Sequence, residues 1–179
     1  MWGFNVALLP SLSIVNFYQF HFKLIPSMKK ISREVIDYGC DVSETSLAVA
    51  KAESERHNMN FPLQIKSVYD LEQSVDHADT VLCCEVLEHL TEPEAALKKL
   101  ISVTRKDLIL SVPNEPIWHL LNMARGKYWH ALGNTPGHFQ HWTRQMFVDF
   151  VSPYAEIVAI KTPLPWTLIH CRPKTGRSS

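Results

Sequence analysis

Glycine is scarce through the first two-thirds of this sequence. Gly3 and Gly39 are followed by none until Gly126. A glycine-rich turn lets backbone approach a bound group because no Cβ intervenes, and such a turn is excluded between Gly39 and Gly126. Net charge is also missing: 18 basic residues balance 18 acidic ones. That balance leaves no bulk electrostatic footprint for nucleic acid, although a local basic patch remains open. The four cysteines, Cys40, Cys83, Cys84 and Cys171, show no CxxC spacing. They read as reduced, mostly buried thiols of a cytoplasmic protein. No internal repeat, low-complexity tract or second domain is visible, and 179 residues suffice for one domain with a real core.

Charge is absent from Met1 to Phe22, which contains no Asp, Glu, Lys or Arg. Lys23, Lys29, Lys30 and Arg33 follow, so a membrane anchor is one reading. Asn5, Pro10, Ser11, Ser13, Asn16, Gln19 and His21 interrupt it. A signal peptide fits poorly, because no basic stretch precedes the apolar run and no A-x-A site follows. A segment packed on the domain, in part as a strand, is the favoured reading.

What is present is an α/β alternation. Val35–Asp41 reads as a strand running into a turn. Ser43 is placed to cap a helix from about Glu44 to Arg56, with Leu47, Val49 and Ala50 as its apolar positions. Leu63–Val68 predicts a second strand, and Asp70–His77 a polar connection. Asp79–Cys84 is a short apolar run, the pattern of a strand covered on both faces. Thr91 is the expected cap of the next helix, with Glu92, Pro93 and Glu94 in its first turn and Arg105 and Lys106 at its end. That helix carries Ala95, Ala96, Leu97, Leu100 and Val103 at helical spacing. Asp107–Val112 is a further strand. Ile117–Arg125 reads as helical, and Gly126–Trp142 as a long loop. Thr143 is expected to cap a helix through Val151, and Glu156–Lys161 and Trp166–Cys171 to close the sheet with an antiparallel edge. The fold class expected is α/β, a doubly wound and mostly parallel sheet altered at its N-terminus. The chain divides into an N-terminal segment, 1–34, a domain, 35–172, and a polar tail, 173–179.

Three pieces in this order resemble the class I S-adenosylmethionine-dependent methyltransferases. They are G-C-D-V-S-E-T-S-L-A-V-A-K-A from Gly39, S-V-Y-D-L from Ser67, and D-T-V-L-C-C-E-V-L-E-H-L-T-E-P-E-A-A-L from Asp79, the last followed by L-I-L-S-V-P-N. The resemblance implies S-adenosylmethionine as cofactor, with Gly39, Asp41, Val42, Ser67, Val68 and Glu85 around it. Asp41 would take the ribose hydroxyls, a role suited to a carboxylate that can accept two hydrogen bonds from a cis-diol. Ser67 and Val68 would border the adenine. One departure is large: the family's first strand ends in a glycine-rich loop, typically D-x-G-x-G-x-G, and this chain has no counterpart. V-I-D-Y-G-C, with Asp37 and Gly39, could begin such a loop. The spacing from Asp41 to Ser67 and on to Asp79 favours the second strand instead. Residues before about Lys30 would then stand in place of the usual first βα unit.

The acidic turn after Cys84 carries Glu85, Glu88 and His89, with Glu85 and His89 at i, i+4. Two carboxylates and an imidazole can hold a divalent ion, or they can cap and solvate a turn. The E-V-L-E-H turn resembles that of the ubiquinone-biosynthesis O-methyltransferases. With the later H-F-Q-H-W-T-R, it also looks like the magnesium-dependent small-RNA terminal 2′-O-methyltransferases. The second likeness implies a magnesium site at Glu85, Glu88, His89 and His138. His130, His138 and His141 gather with Trp118, Trp129 and Trp142, either as a substrate loop with a general base or as loop packing. His89, His138 and His141 are the candidate catalytic groups. The expected function is methyl transfer to an oxygen or nitrogen of a small molecule. The rival readings are a magnesium-dependent RNA ribose methyltransferase, with a basic groove around Lys98, Lys99, Lys127 and Arg144, and an inactive methyltransferase-like binding protein. DNA is not an expected partner, and membrane contact by residues 1–22 is not favoured.

Overall fold

The computed structural model describes residues 5–9, 38–56, 62–115, 117 and 139–174. They form one seven-stranded sheet in the order β3-β2-β1-β4-β5-β7-β6. The strands are β1 (Asn5–Leu9), β2 (Tyr38–Asp41), β3 (Leu63–Ile65), β4 (Ala78–Cys84), β5 (Thr104–Pro113), β6 (Ala155–Lys161) and β7 (Trp166–Pro173). The helices are α1 (Glu44–Arg56), α2 (Pro93–Val103) and α3 (Arg144–Val151). β2 pairs β3 in parallel and β4 pairs β5 in parallel. β7 is antiparallel to both β5 and β6, and β1 is antiparallel to both β2 and β4. Hence β2 to β6 all point one way, and β1 and β7 run against them. Five of the seven strands thus share one direction, as the alternation of elements predicts, while β1 and β7 make four of the six pairings antiparallel.

β4 is the most enclosed strand. Val81 and Cys83 are fully buried and Leu82 nearly so, which requires cover on both faces. α2 supplies part of it through Ala96, Leu97, Leu100 and Val103, all buried on one helical stripe. Pro93 opens that helix, where its missing N–H costs nothing. β5 adds Leu108, Leu110 and Val112, and α3 adds Phe147 and Val151. The Trp142 ring lies 5.3 Å from Phe147 and 5.2 Å from Phe150, centroid to centroid.

Several boundaries differ from the sequence reading, each for a local reason. β3 stops at Ile65, which is exposed, and Val68 instead begins a 3-10 turn capped by Ser67, whose Oγ accepts from the Tyr69 N–H at 3.3 Å. Glu92, not Thr91, precedes α2, and it makes no side-chain cap. β5 begins at Thr104, so Arg105 and Lys106 sit in a strand rather than at a helix end. There Lys106 bonds Asp79 across the sheet at 2.5 Å. Val49 on α1 is exposed, while Leu47 and Ala50 are buried. The caps at Ser43 and Thr143 form as expected, accepting from Ser46 and Met146 backbone N–H groups at 3.3 Å each. The helix expected over 117–125 and most of the loop after it lie outside the described residues, as do Val35 to Asp37 of the first predicted strand. No helix among the described residues is long and apolar enough to cross a membrane.

Among the described residues Phe147 is the largest fully buried side chain, and it joins α3 to the core. Phe147→Ala should lower unfolding free energy by about 3–5 kcal/mol, read as a lower urea midpoint. An unchanged midpoint would show that α3 does not contribute to the core.

Candidate active site

The carboxyl ends of β2, β3, β4 and β5 lie at one end of the sheet. They place Asp41, the Lys66–Val68 stretch, the Glu85–Leu90 turn and Glu115 along one crevice, the usual ligand position in an open α/β sheet. Within it, Cys40, Asp41, Val42, Lys66, Ser67, Val68, Val86 and Leu90 line a single cleft. Four of the residues expected near the cofactor, Asp41, Val42, Ser67 and Val68, are therefore neighbours. Gly39 is buried one position before Cys40 in β2. Glu85 is separate: it follows β4 and turns toward β5 and β7.

Asp41 is buried, and only one of its carboxylate oxygens is used. Oδ1 accepts the Ser43 N–H at 2.6 Å, while Oδ2 has no hydrogen-bond partner. Burial raises its pKa from the usual 3.8 to about 6, against the opposing pull of the Ser43 and Val42 backbone N–H groups. An oxygen that is desolvated and unsatisfied at a cleft wall suits a ligand hydroxyl. Lys66, on the same wall, is occupied elsewhere: its Nζ bonds both oxygens of buried Asp76 at 2.7 Å.

The acidic turn is a different environment. Glu85 has φ of 56°, the left-handed region that a non-glycine residue rarely takes. This conformation directs its carboxylate to two donors. Ser111 Oγ donates to Oε1 at 3.0 Å and the Trp166 indole N–H to Oε2 at 2.8 Å. Burial pushes the Glu85 carboxyl up to about 7, and both donors pull it back. Glu88 is fully buried, and neither carboxylate oxygen has a hydrogen-bond partner. Burial, then the charges of Glu85 and Glu115, hold it well above the ordinary carboxylate range. Its backbone carbonyl accepts from Phe139 and Gln140 N–H groups, at 2.8 and 2.9 Å, and ties the 139–142 stretch to the turn. His89 Nε2 stands 3.9 Å from Glu88 Oε1, and His141 Nδ1 stands 3.6 Å from Glu115 Oε1.

Magnesium is not supported by this arrangement. Among the described residues no three His, Cys, Asp or Glu side chains are grouped to hold a metal ion. Glu85 faces Ser111 and Trp166 while Glu88 faces His89, so the two carboxylates of the turn diverge in their partners. His138, the expected fourth ligand and a candidate catalytic group, lies outside the described residues. Cys83 and Cys84 are held as thiols, their pKa values raised well above the ordinary by burial. Ser111, Glu115 and Trp166 were not singled out from sequence, because only the pairing of β4, β5 and β7 brings them to Glu85 and Glu88.

Residues 26–112 match the family model for a methyltransferase domain. That stretch, 87 of the 179 residues, is similar to a methyltransferase domain. Over 67 residues the chain is 28% identical to the ubiquinone biosynthesis O-methyltransferase of Coxiella burnetii (strain RSA 493 / Nine Mile phase I), covering 37% of this chain and 29% of that protein. The match thus spans less than a third of the relative. The small RNA methyltransferase HEN1 superposes with a TM-score of 0.59 at 22% identity, over 86% of this chain and 22% of that one. The magnesium protoporphyrin IX methyltransferase of Synechocystis PCC 6803, solved with S-adenosylhomocysteine bound, gives 0.56 at 20% identity, over 75% and 63%. A putative methyltransferase of Haloferax volcanii, in complex with its Trm112 activator, gives 0.63 at 10%, over 88% and 79%. At these identities the superpositions establish the methyltransferase fold.

Because the Asp41 carboxyl holds its proton up to about pH 6 in the folded state, folding takes up protons between about pH 4 and 6. Its contribution to stability is therefore present below about pH 4 and is lost as pH rises through about 6. Asp41→Asn should match the parent's melting temperature near pH 4 and exceed it by roughly 6 °C near pH 8. Equal melting temperatures at both pH values would contradict the buried, unsatisfied carboxylate.

Proposed function

We propose that this domain transfers a methyl group from S-adenosylmethionine to an oxygen or nitrogen of a small molecule. The observation that carries the reading is the unsatisfied Asp41 Oδ2 in a cleft that Ser67 and Val68 also line, beyond the carboxyl ends of β2 and β3. Asp41 holds the ribose hydroxyls of the cofactor. Ser67 and Val68 border its adenine, and Val42 and Val86 add apolar wall. When bound, the cofactor supplies an activated methyl on a sulfonium. The chain's part is to anchor the nucleoside and to align the acceptor, and alignment accounts for most of the catalysis in such a site. Glu85, fixed by Ser111 and Trp166, faces the acceptor side, with His89 and His141 as the titratable neighbours that can handle the acceptor's proton. The likeness of part of the chain to a ubiquinone biosynthesis O-methyltransferase supports the small-molecule reading over the RNA ribose reading.

Calorimetric titration with S-adenosylhomocysteine, with and without magnesium, tests this. Saturable binding that magnesium does not change is expected, and Asp41→Ala should weaken it about tenfold or more through the lost charge-assisted hydrogen bonds. No binding in either condition would sink the enzyme reading. Methyl transfer that requires magnesium and disappears in Glu88→Ala would favour the RNA-type reading instead.

A further inference from the structure

A cation stands beside the place assigned to the ribose and is bound away from it. Lys66 directly follows β3, and its backbone N–H donates to the Asp41 carbonyl at 3.2 Å. The two residues also line the same cleft. An ammonium so placed has the chemistry for a phosphate on the ribose. In dinucleotide sites a carboxylate takes a free 2′-hydroxyl, and a basic side chain nearby takes a 2′-phosphate. Lys66 carries the necessary charge, but Asp76 holds it.

The Asp76 side chain is 2% exposed, and both of its oxygens accept from Lys66 Nζ at 2.7 Å. Oδ2 also accepts the Glu72 N–H at 2.7 Å, and the Asp76 N–H returns to the Glu72 carbonyl at 2.7 Å. These bonds fix the carboxylate. The lysine stem therefore runs from the cleft wall to a buried anion outside the cleft lining. Both charges are felt at Cys40, which does line the cleft. Burial pushes its thiol up to about 12, Asp76 adds to the rise, and Lys66 opposes it. The pair thus lies against the wall with its charges offsetting each other. Charge-assisted hydrogen bonds are the strong kind, and a buried carboxylate left alone is costly, so the pair stays closed.

We infer that Asp76 is a positioning residue for ligand selectivity: it withholds the Lys66 ammonium, so that the cleft takes a ribose with free hydroxyls and rejects a phosphorylated one. This rests on the placement of the ribose at Asp41. With Lys66 neutralised, the charge that a ribose phosphate meets is the Asp41 carboxylate, which repels it. Released from Asp76, the ammonium turns to the same edge and pairs with the phosphate. Asp76 touches no ligand and acts through Lys66.

The test is calorimetric titration of the full chain at pH 8 with S-adenosylhomocysteine, adenosine and adenosine 2′-monophosphate. The parent should bind adenosine about thirtyfold or more tighter than its 2′-monophosphate. Equal binding of the two would overturn the inference and leave the cofactor reading standing. Asp76→Asn should cut the ratio about tenfold or more, as the freed ammonium pairs with phosphate. A merely loosened fold would weaken both nucleosides alike, so an unchanged ratio would overturn the inference. The double variant Lys66→Met/Asp76→Asn leaves no buried charge there, and it keeps the test open should Asp76→Asn not fold. Its ratio should match the parent's within about threefold, and a departure of about tenfold in either direction would overturn the inference. A parent that binds neither S-adenosylhomocysteine nor adenosine would overturn the ribose placement and this inference together.

Discussion

The structure depends on the burial of β4. This strand is paired on both edges, by β1 and β5, and covered on both faces. Its backbone groups are satisfied only while both neighbours stay in register. That constraint fixes where the strand ends, and therefore where the Glu85–His89 turn stands. The parallel pairing of β5 with β4 then sets Ser111 beside Cys84, within reach of Glu85. β7 pairs Trp166 with Pro113 at the same end of the sheet, so its indole completes the hold on Glu85.

Two unlike carboxylate environments follow from this frame. At Asp41 a buried oxygen lacks a partner within a cleft, an environment that suits a donor hydroxyl. At Glu85 both oxygens are bonded and the backbone is held at positive φ, so the side chain is fixed rather than free. Glu88 sits beneath the stretch that its own carbonyl anchors, without hydrogen bonds to its carboxylate, and burial favours its neutral form. The ion pairs at the opposite end of the sheet have another character. Asp107 accepts from Arg172 at 3.0 Å and meets His170 at 2.7 Å, spending its charge on strand-to-strand contacts.

Much of the fold was legible because apolar spacing reports which faces are buried. β4, α2 and α3 stood out in this way, and Ser43 and Thr143 were legible as caps because their hydroxyls meet N–H groups only three residues on. β1 was legible only as an apolar stretch. Hydrophobic pattern does not encode strand direction, and the antiparallel insertion between β2 and β4 is a tertiary outcome. The same limit applies at the site. Asp41, Ser67 and Val68 could be marked from local motifs, whereas Trp166 lies 81 positions from Glu85 and meets it only through two strand pairings. Among the described residues Glu85, Glu88 and His89 do not gather as a metal set, and His138 lies outside them. Positions i and i+4 share a face only on a continuing helix, and here the turn is three residues of 3-10 helix beginning at Leu87, after Glu85.

The most direct measurement is the change in backbone amide NMR shifts as S-adenosylhomocysteine is titrated into the labelled chain. Saturable shifts are expected at Cys40 to Ser43, at Lys66 to Val68 and at Val86 to Leu90, with β6 and α3 undisturbed. Shifts confined to the opposite end of the sheet, around Asp79, Asp107 and His170, would contradict this expectation, and so would a spectrum that does not change.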